Sequence, residues 1–252
     1  LPIEGIDPLL ALPQLAEQES LQVLWDSAPG LCLAAAGPCQ ELELAGSRRF
    51  EQAQRFADLC LSRLHDTAAD SPAHARPRVL LRFRFFDQVS ERRRSEAVVP
   101  SVQAVLPRWQ LSRQGRRGWL RLNGVVSSAA DCRELAEQLW LKHEQLLKTP
   151  TTPPPLKPQA LVAATEPETW RQRYAAALTR GIDLVNSGDL HKLVLAVRHR
   201  IVLANSFDPL PLLKRLRRQQ AGSCRFLWQR HAGDAFFGCL LYTSDAADES
   251  VR

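Results

Sequence analysis

Among the side chains able to do chemistry, Lys192 stands out by its setting. It lies in the run Leu190-His191-Lys192-Leu193-Val194-Leu195-Ala196-Val197, which is otherwise almost wholly apolar, and the chain has only five lysines. Alternation along a strand would put Lys192 on the face shared by Leu190, Val194 and Ala196. A lysine in a central strand, apolar on both faces, must be paired, snorkel, or give up its proton more readily than a free one. Two readings follow. One is a snorkelling or edge-strand lysine; the other is a general base whose pKa is depressed by burial. His191 would point to the opposite face, where it reads as a packed or surface histidine.

The remaining reactive residues carry less. Six cysteines stand at positions 32, 39, 60, 132, 224 and 239. They include no C-x-x-C pair and no histidine at zinc-ligand spacing, so they read as buried, reduced thiols of a cytosolic protein, and the sequence shows no metal-binding cluster. The formal charge of +6 is mostly arginine, in runs such as Arg92-Arg93-Arg94, Arg116-Arg117 and Arg217-Arg218. These runs fall in different elements without interleaved stacking aromatics. They are therefore read as solvated faces rather than a nucleic-acid surface. No apolar run approaches the roughly 18–20 residues that span a bilayer, and no charged segment followed by an apolar stretch opens the chain. The expectation is a cytoplasmic protein with no membrane or nucleic-acid partner.

An ordinary balance of 45% hydrophobic and 24% charged residues indicates a globular chain able to build a core. The first half reads as mixed α and β. Short strands are expected at Leu21–Leu24, Leu31–Ala36 and Glu41–Leu44, separated by Pro29-Gly30 and Gly37-Pro38. A helix is expected from Arg48 to Leu64 with Ser47 as N-cap, then strands at Arg78–Phe86, Ser101–Leu106 and Gly118–Val126. Ser128 should open a helix carrying Leu135, Leu139, Leu146 and Leu147 on one side. Five prolines between Lys148 and Gln159 exclude helix and central strand, which makes 148–159 a linker. Beyond it, Thr165-Glu166-Pro167-Glu168 forms a capping box for a helix that Gly188 should stop. The Lys192 strand follows and continues toward Ile201–Leu203. Asp208-Pro209 opens a helix with Leu212, Leu213 and Leu216 inward, and Cys224–Gln229 with Ala235–Gly238 reads as a hairpin. The succession is α+β rather than regular βαβ.

The block Trp170…Ile182…Gly188-Asp189-Leu190-His191-Lys192-Leu193-Val194-Leu195-Ala196 resembles the opening signature of the chorismate-binding family, which reads W…I…G-x-[LI]-x-K-V-V-L-A-R; Val197 stands where arginine is usual. Phe226-Leu227-Trp228 and Phe236-Phe237-Gly238 resemble the family's next blocks, the second being the start of a hairpin that reads F-[FIL]-G-x-[ST]-P-E-R-L. Asp7-Pro8-Leu9, Trp25, Arg49-Phe50, Arg82–Phe86 and Val105-Leu106-Pro107-Arg108 are similar, more loosely, to the N-terminal region of isochorismate synthases. The resemblance covers roughly residues 5–238. It implies a partial four-layer α/β/β/α fold with antiparallel-rich sheets. It divides the chain into 1–147, the linker 148–159, the start of a chorismate-binding domain at 160–238, and 239–252.

Within this family isochorismate and salicylate synthases resemble one another in having lysine at the position of Lys192, where it activates water. The branch that uses ammonia usually has glutamine. The resemblance thus implies Lys192 as general base, chorismate as substrate and Mg²⁺ as cofactor, with isochorismate serving quinone or siderophore pathways. A salicylate synthase and a non-catalytic basic module are the alternatives. The segment Cys239–Arg252 departs from the family's block and resembles the translation of a sequencing adapter. The general-acid glutamate is expected at position 242, where Tyr242 stands. The expectation is a chain lacking its general acid and magnesium-binding glutamates and inactive alone. The absence of methionine adds the expectation that the native start lies upstream.

Overall fold

A computed structural model describes residues 1–16, 21–27, 30–66, 71–87, 100–148, 161–164, 167–196, 200–220, 222–231 and 233–240. The elements run β1 (Pro2–Glu4), α1 (Pro8–Leu15), β2 (Gln22–Asp26), β3 (Leu31–Leu44), α2 (Arg49–Ser62), a 3-10 turn (Ala73–Ala75), β4 (Leu80–Phe83), β5 (Val102–Gln114), β6 (Arg117–Leu122) and α3 (Ala129–Leu147). They continue with β7 (Leu161–Ala164), α4 (Pro167–Asn186), β8 (Ile201–Leu203), α5 (Pro209–Gln219), β9 (Cys224–His231) and β10 (Asp234–Leu240). The chain forms two compact units, one of residues 1–155 with 209–252, the other of 156–208. The expected Pro-rich linker lies largely outside the described residues, as do the start of the Thr165 capping box and the Arg92 run.

The first unit is built on an eight-stranded antiparallel sheet in the order β1-β6-β5-β3-β2-β9-β10, with β4 also paired to β5. Its spine is the pairing of β3 with β5, from Leu31 opposite Gln114 to Leu44 opposite Val102. A register shift between Pro38 and Gln40 interrupts it. The two short strands expected around Gly37-Pro38 are therefore one strand with a bulge rather than two joined by a turn. Pro38 faces Pro107, so neither residue has an N–H to give to the ladder there, and Gly37 takes the positive φ of 63° that the bend needs.

One face of this sheet supplies the larger core. Cys32, Ala34, Ala36, Trp109, Leu111, Leu120 and Leu227 pack with Leu9, Leu12 and Leu15 of α1, Leu146 of α3 and Leu213 of α5. On the opposite face Leu21, Val23, Ala35, Val105 and Trp228 form a smaller cluster. Cys32–Ala36 is buried throughout because both faces of β3 are covered, which its unalternating run of apolar residues foreshadows. Helix α3 begins as its sequence indicates. The Ser128 hydroxyl accepts from the Asp131 N–H, and the Asp131 carboxylate accepts from the Ser128 N–H. Leu146 is buried, but Leu147 is exposed. Helix α2 is capped at Arg48 without a side-chain bond, so Ser47 does not take the expected N-cap role.

In the second unit β7 and β8 pair antiparallel and α4 lies between them in sequence. The described architecture is α+β with antiparallel sheets, as expected from the order of elements.

Candidate active site

The segment carrying Lys192 begins where α4 stops. The Ser187 N–H donates to Asp183 O, Gly188 N–H to Val185 O and Leu190 N–H to Leu184 O, at 2.9, 3.2 and 3.0 Å. Gly188 supplies the positive φ of 81° that lets the chain reverse after the last turn. Leu193 then folds back on the helix. A Cβ placed on Gly181 would lie 2.4 Å from Leu193 Cδ2, so the glycine leaves the space the leucine occupies.

Residues 191–196 form neither helix nor strand, and Lys192 and His191 are exposed. Val194, expected on the buried face with Lys192, is 82% exposed. This corrects the expected strand over 190–197 and the burial of Lys192. The physical reason is that no strand among the described residues pairs with this segment. A strand needs a neighbour for its N–H and C=O groups, and β7 with β8 is the one pairing among the described residues of this unit. Tyr242 and Val197-Arg198 lie outside the described residues.

The hairpin of the first unit takes the form expected of it. Phe236 is opposite Trp228, Phe237 opposite Leu227 and Gly238 opposite Phe226. A Cβ on Gly238 would stand 3.0 and 3.1 Å from the Phe226 ring, so a bare α-carbon is what admits that ring. Phe226 packs on Phe236 at 5.1 Å between centroids, and the Arg82 guanidinium lies 6.0 Å from the Phe236 centroid. β9 joins the hairpin to the sheet through β2, with Leu24 opposite Leu227 and Asp26 opposite Arg225.

A buried charge network, made of residues outside those expected to be functional, fastens this hairpin. Arg225, 1% exposed, donates from Nε to Asp26 Oδ2 at 3.2 Å and from Nη2 to the Asp26 carbonyl at 3.0 Å. Arg217, from the last turn of α5, donates from Nε to the same carboxylate oxygen at 2.6 Å. It also donates through Nη1 and Nη2 to Asp7, at 2.5 and 3.2 Å. Asp7 in turn accepts from the Leu9 N–H and caps α1. Burial alone would raise the Asp26 pKa. The charges and hydrogen bonds of Arg217 and then Arg225 outweigh it and hold the carboxyl below its ordinary range. Arg217 is thus no solvated arginine, which corrects that reading of the Arg217-Arg218 run. A signal was available in Cys224-Arg225-Phe226-Leu227-Trp228, a charge inside an apolar run just as at Lys192.

All six cysteines are free. Cys32 and Cys224 are buried, Cys39, Cys60 and Cys239 half-buried, and Cys132 exposed, so burial holds for two of the six. Burial pushes the Cys32 thiol well above its usual range, which makes it inert as a nucleophile. Among the described residues no group of three or more His, Cys, Asp and Glu side chains could hold a metal ion. No site for the magnesium that the family resemblance implies is marked among those residues. No described helix is long and apolar enough to cross a membrane.

An antiparallel α+β chain with this hairpin and this lysine block matches one family along nearly its whole length. The sequence model of the chorismate binding enzymes matches residues 1–240, and the chain belongs to that family. Among solved structures it is similar to MenF, the menaquinone-specific isochorismate synthase from Escherichia coli, with a TM-score of 0.52 and 17% identity. The match covers 95% of this chain and 49% of that one, so the chain spans about half the length of the solved enzyme. At this identity the likeness shows the fold. No curated protein matches the sequence.

Proposed function

We propose that the protein to which these residues belong converts chorismate to isochorismate. The observation that carries this reading is Lys192 in the run Gly188–Ala196, inside a chain that belongs to the chorismate binding enzymes. Glutamine at that position would suit ammonia as nucleophile, whereas a lysine can take a proton from water. In the proposed reaction the oxygen of water bonds to C2 of chorismate, the ring double bond shifts, and the C4–O bond breaks. Lys192 takes the proton from water. An acid at position 242 in the family's pattern gives one to the departing hydroxyl, so water is consumed and released in balance. Magnesium belongs to the reading through the family resemblance alone.

Tyr242, standing at the acid's position in the family's pattern, supports an inactive 252-residue chain. The test is isochorismate formation from chorismate at saturating Mg²⁺. The 252-residue chain would be compared with a chain continued after Gly238 through the family's Pro-Glu block and the domain beyond it. The continued chain is expected to turn over. Its Lys192→Gln variant should fold, bind chorismate within a few-fold, and lose about 10²-fold or more in rate, as expected for a positioned base. Near-parental turnover by a folded Lys192→Gln variant would remove the isochorismate reading.

A further inference from the structure

The ladder between β2 and β9 pairs Gln22 with Gln229, Val23 with Trp228, Leu24 with Leu227, Trp25 with Phe226 and Asp26 with Arg225. One of its faces is apolar along its length. Val23 and Trp228 belong to the smaller core, and Trp25 with Phe226 shares their side by strand alternation. The other face runs polar, apolar, charged on both strands. The two glutamines come first, then Leu24 with Leu227 in the larger core, then Asp26 with Arg225. Asp26 is 0% exposed and Arg225 1%.

A shift of the pairing by two residues keeps every side chain on its own face, so the alternation of faces does not forbid it. On the apolar face such a shift exchanges one apolar neighbour for another. On the other face it sets Asp26 against Leu227, or Leu24 against Arg225, and a buried charge meets an aliphatic side chain. Replacing a buried ion pair by apolar residues is often neutral or stabilising, and fixing a register is the best-attested use of such a pair. Arg217 donates to the same Asp26 oxygen as Arg225, at 2.6 and 3.2 Å, so α5 and the strand that follows it are pinned to β2 at one carboxylate. We propose that the Asp26–Arg225 pair is the register lock of the β9–β10 hairpin. Relative to an apolar pair it selects one alignment with β2 rather than adding net stability. A slip of two residues would carry Phe236-Phe237-Gly238 about 7 Å along the sheet, at roughly 3.4 Å per residue.

The test removes both charges together, as Asp26→Leu with Arg225→Met, in the 252-residue chain at low micromolar concentration. Register is followed by disulfide trapping, with the bonded peptides identified by mass spectrometry. Gln22→Cys with Gln229→Cys reports the native alignment, since directly opposite residues have Cα atoms about 4.5–5.5 Å apart. Gln22→Cys with His231→Cys reports the slipped one. In the native alignment that pair is diagonal, at roughly 7–8 Å, and a disulfide reaches about 7 Å at most. With the ion pair present, the native cross-link should form and the slipped one should not. Without it, the slipped cross-link should appear and the native yield should fall about twofold, as for two registers of similar free energy, while the urea midpoint stays at or above the parental value. Exclusively native trapping in the folded double variant, or a double variant that no longer folds, would overturn the proposal.

Discussion

Replacing Asp26 by asparagine tests the charge network most directly. The substitution keeps the side chain's shape and removes its charge, leaving Arg225 buried with a neutral partner. Both guanidiniums retain other contacts. Arg217 keeps Asp7, and Arg225 keeps the carbonyls of Asp26 and Gln220 and the Ser223 hydroxyl. Breaking a buried pair from one side costs about 3–5 kcal/mol, and these remaining bonds argue for the lower end. With a urea slope of about 2 kcal/mol/M, a loss of about 3 kcal/mol lowers the unfolding midpoint by about 1.5 M. The assay is equilibrium unfolding at low micromolar concentration, followed by tryptophan fluorescence, since Trp25 adjoins Asp26 and Trp228 lies on β9. Arg48→Ala, which breaks the exposed pair with Glu51, serves as control and should leave the midpoint unmoved. Equal shifts for the two variants would refute the claim that the network fastens α5 and the hairpin to the sheet.

The same network sets a pH dependence. Because the Asp26 pKa is depressed on folding, its contribution is full above the unfolded value of about 4 and is lost as pH falls below that through the folded value. Wild-type stability should therefore fall across that acid window, and Asp26→Asn should flatten the fall. Gly238→Ala should cost about 1 kcal/mol in thermal or urea stability, since the Phe226 ring must move aside; an unchanged midpoint would show that the ring yields freely. Gly181→Ala should displace Leu193 without unwinding α4, because alanine favours helix by about 1 kcal/mol over glycine. Faster hydrogen exchange at Leu190 with unchanged helicity is the expected pattern. The exposed apolar side chains Phe85, Phe86, Phe236 and Val194 should make the 252-residue chain bind a hydrophobic dye and associate as concentration rises, and light scattering that stays monomeric would count against this.

Much of the local structure was legible because its causes are local. Ser128 and Asp131 cap α3 from three residues apart, Gly188 ends α4, and the alternation around Phe226–Trp228 and Phe236–Gly238 announces a hairpin. The lysine block and the hairpin pattern also pointed to the family. Tertiary structure decided what needed a distant partner. The sequence around Gly37-Pro38 suits a turn or a bulge equally, and the long pairing of β3 with β5 selects the bulge. Residues 190–197 have a strand's composition, yet composition cannot supply a neighbouring strand; none among the described residues pairs with 191–196, which are irregular with Lys192 exposed. Asp7 and Arg217 are 210 positions apart, and nothing short-range relates them. Periodicity records which face a residue turns to its own element's neighbours. Which charge or strand comes to meet that face depends on chain segments hundreds of residues away, and only their packing determines it.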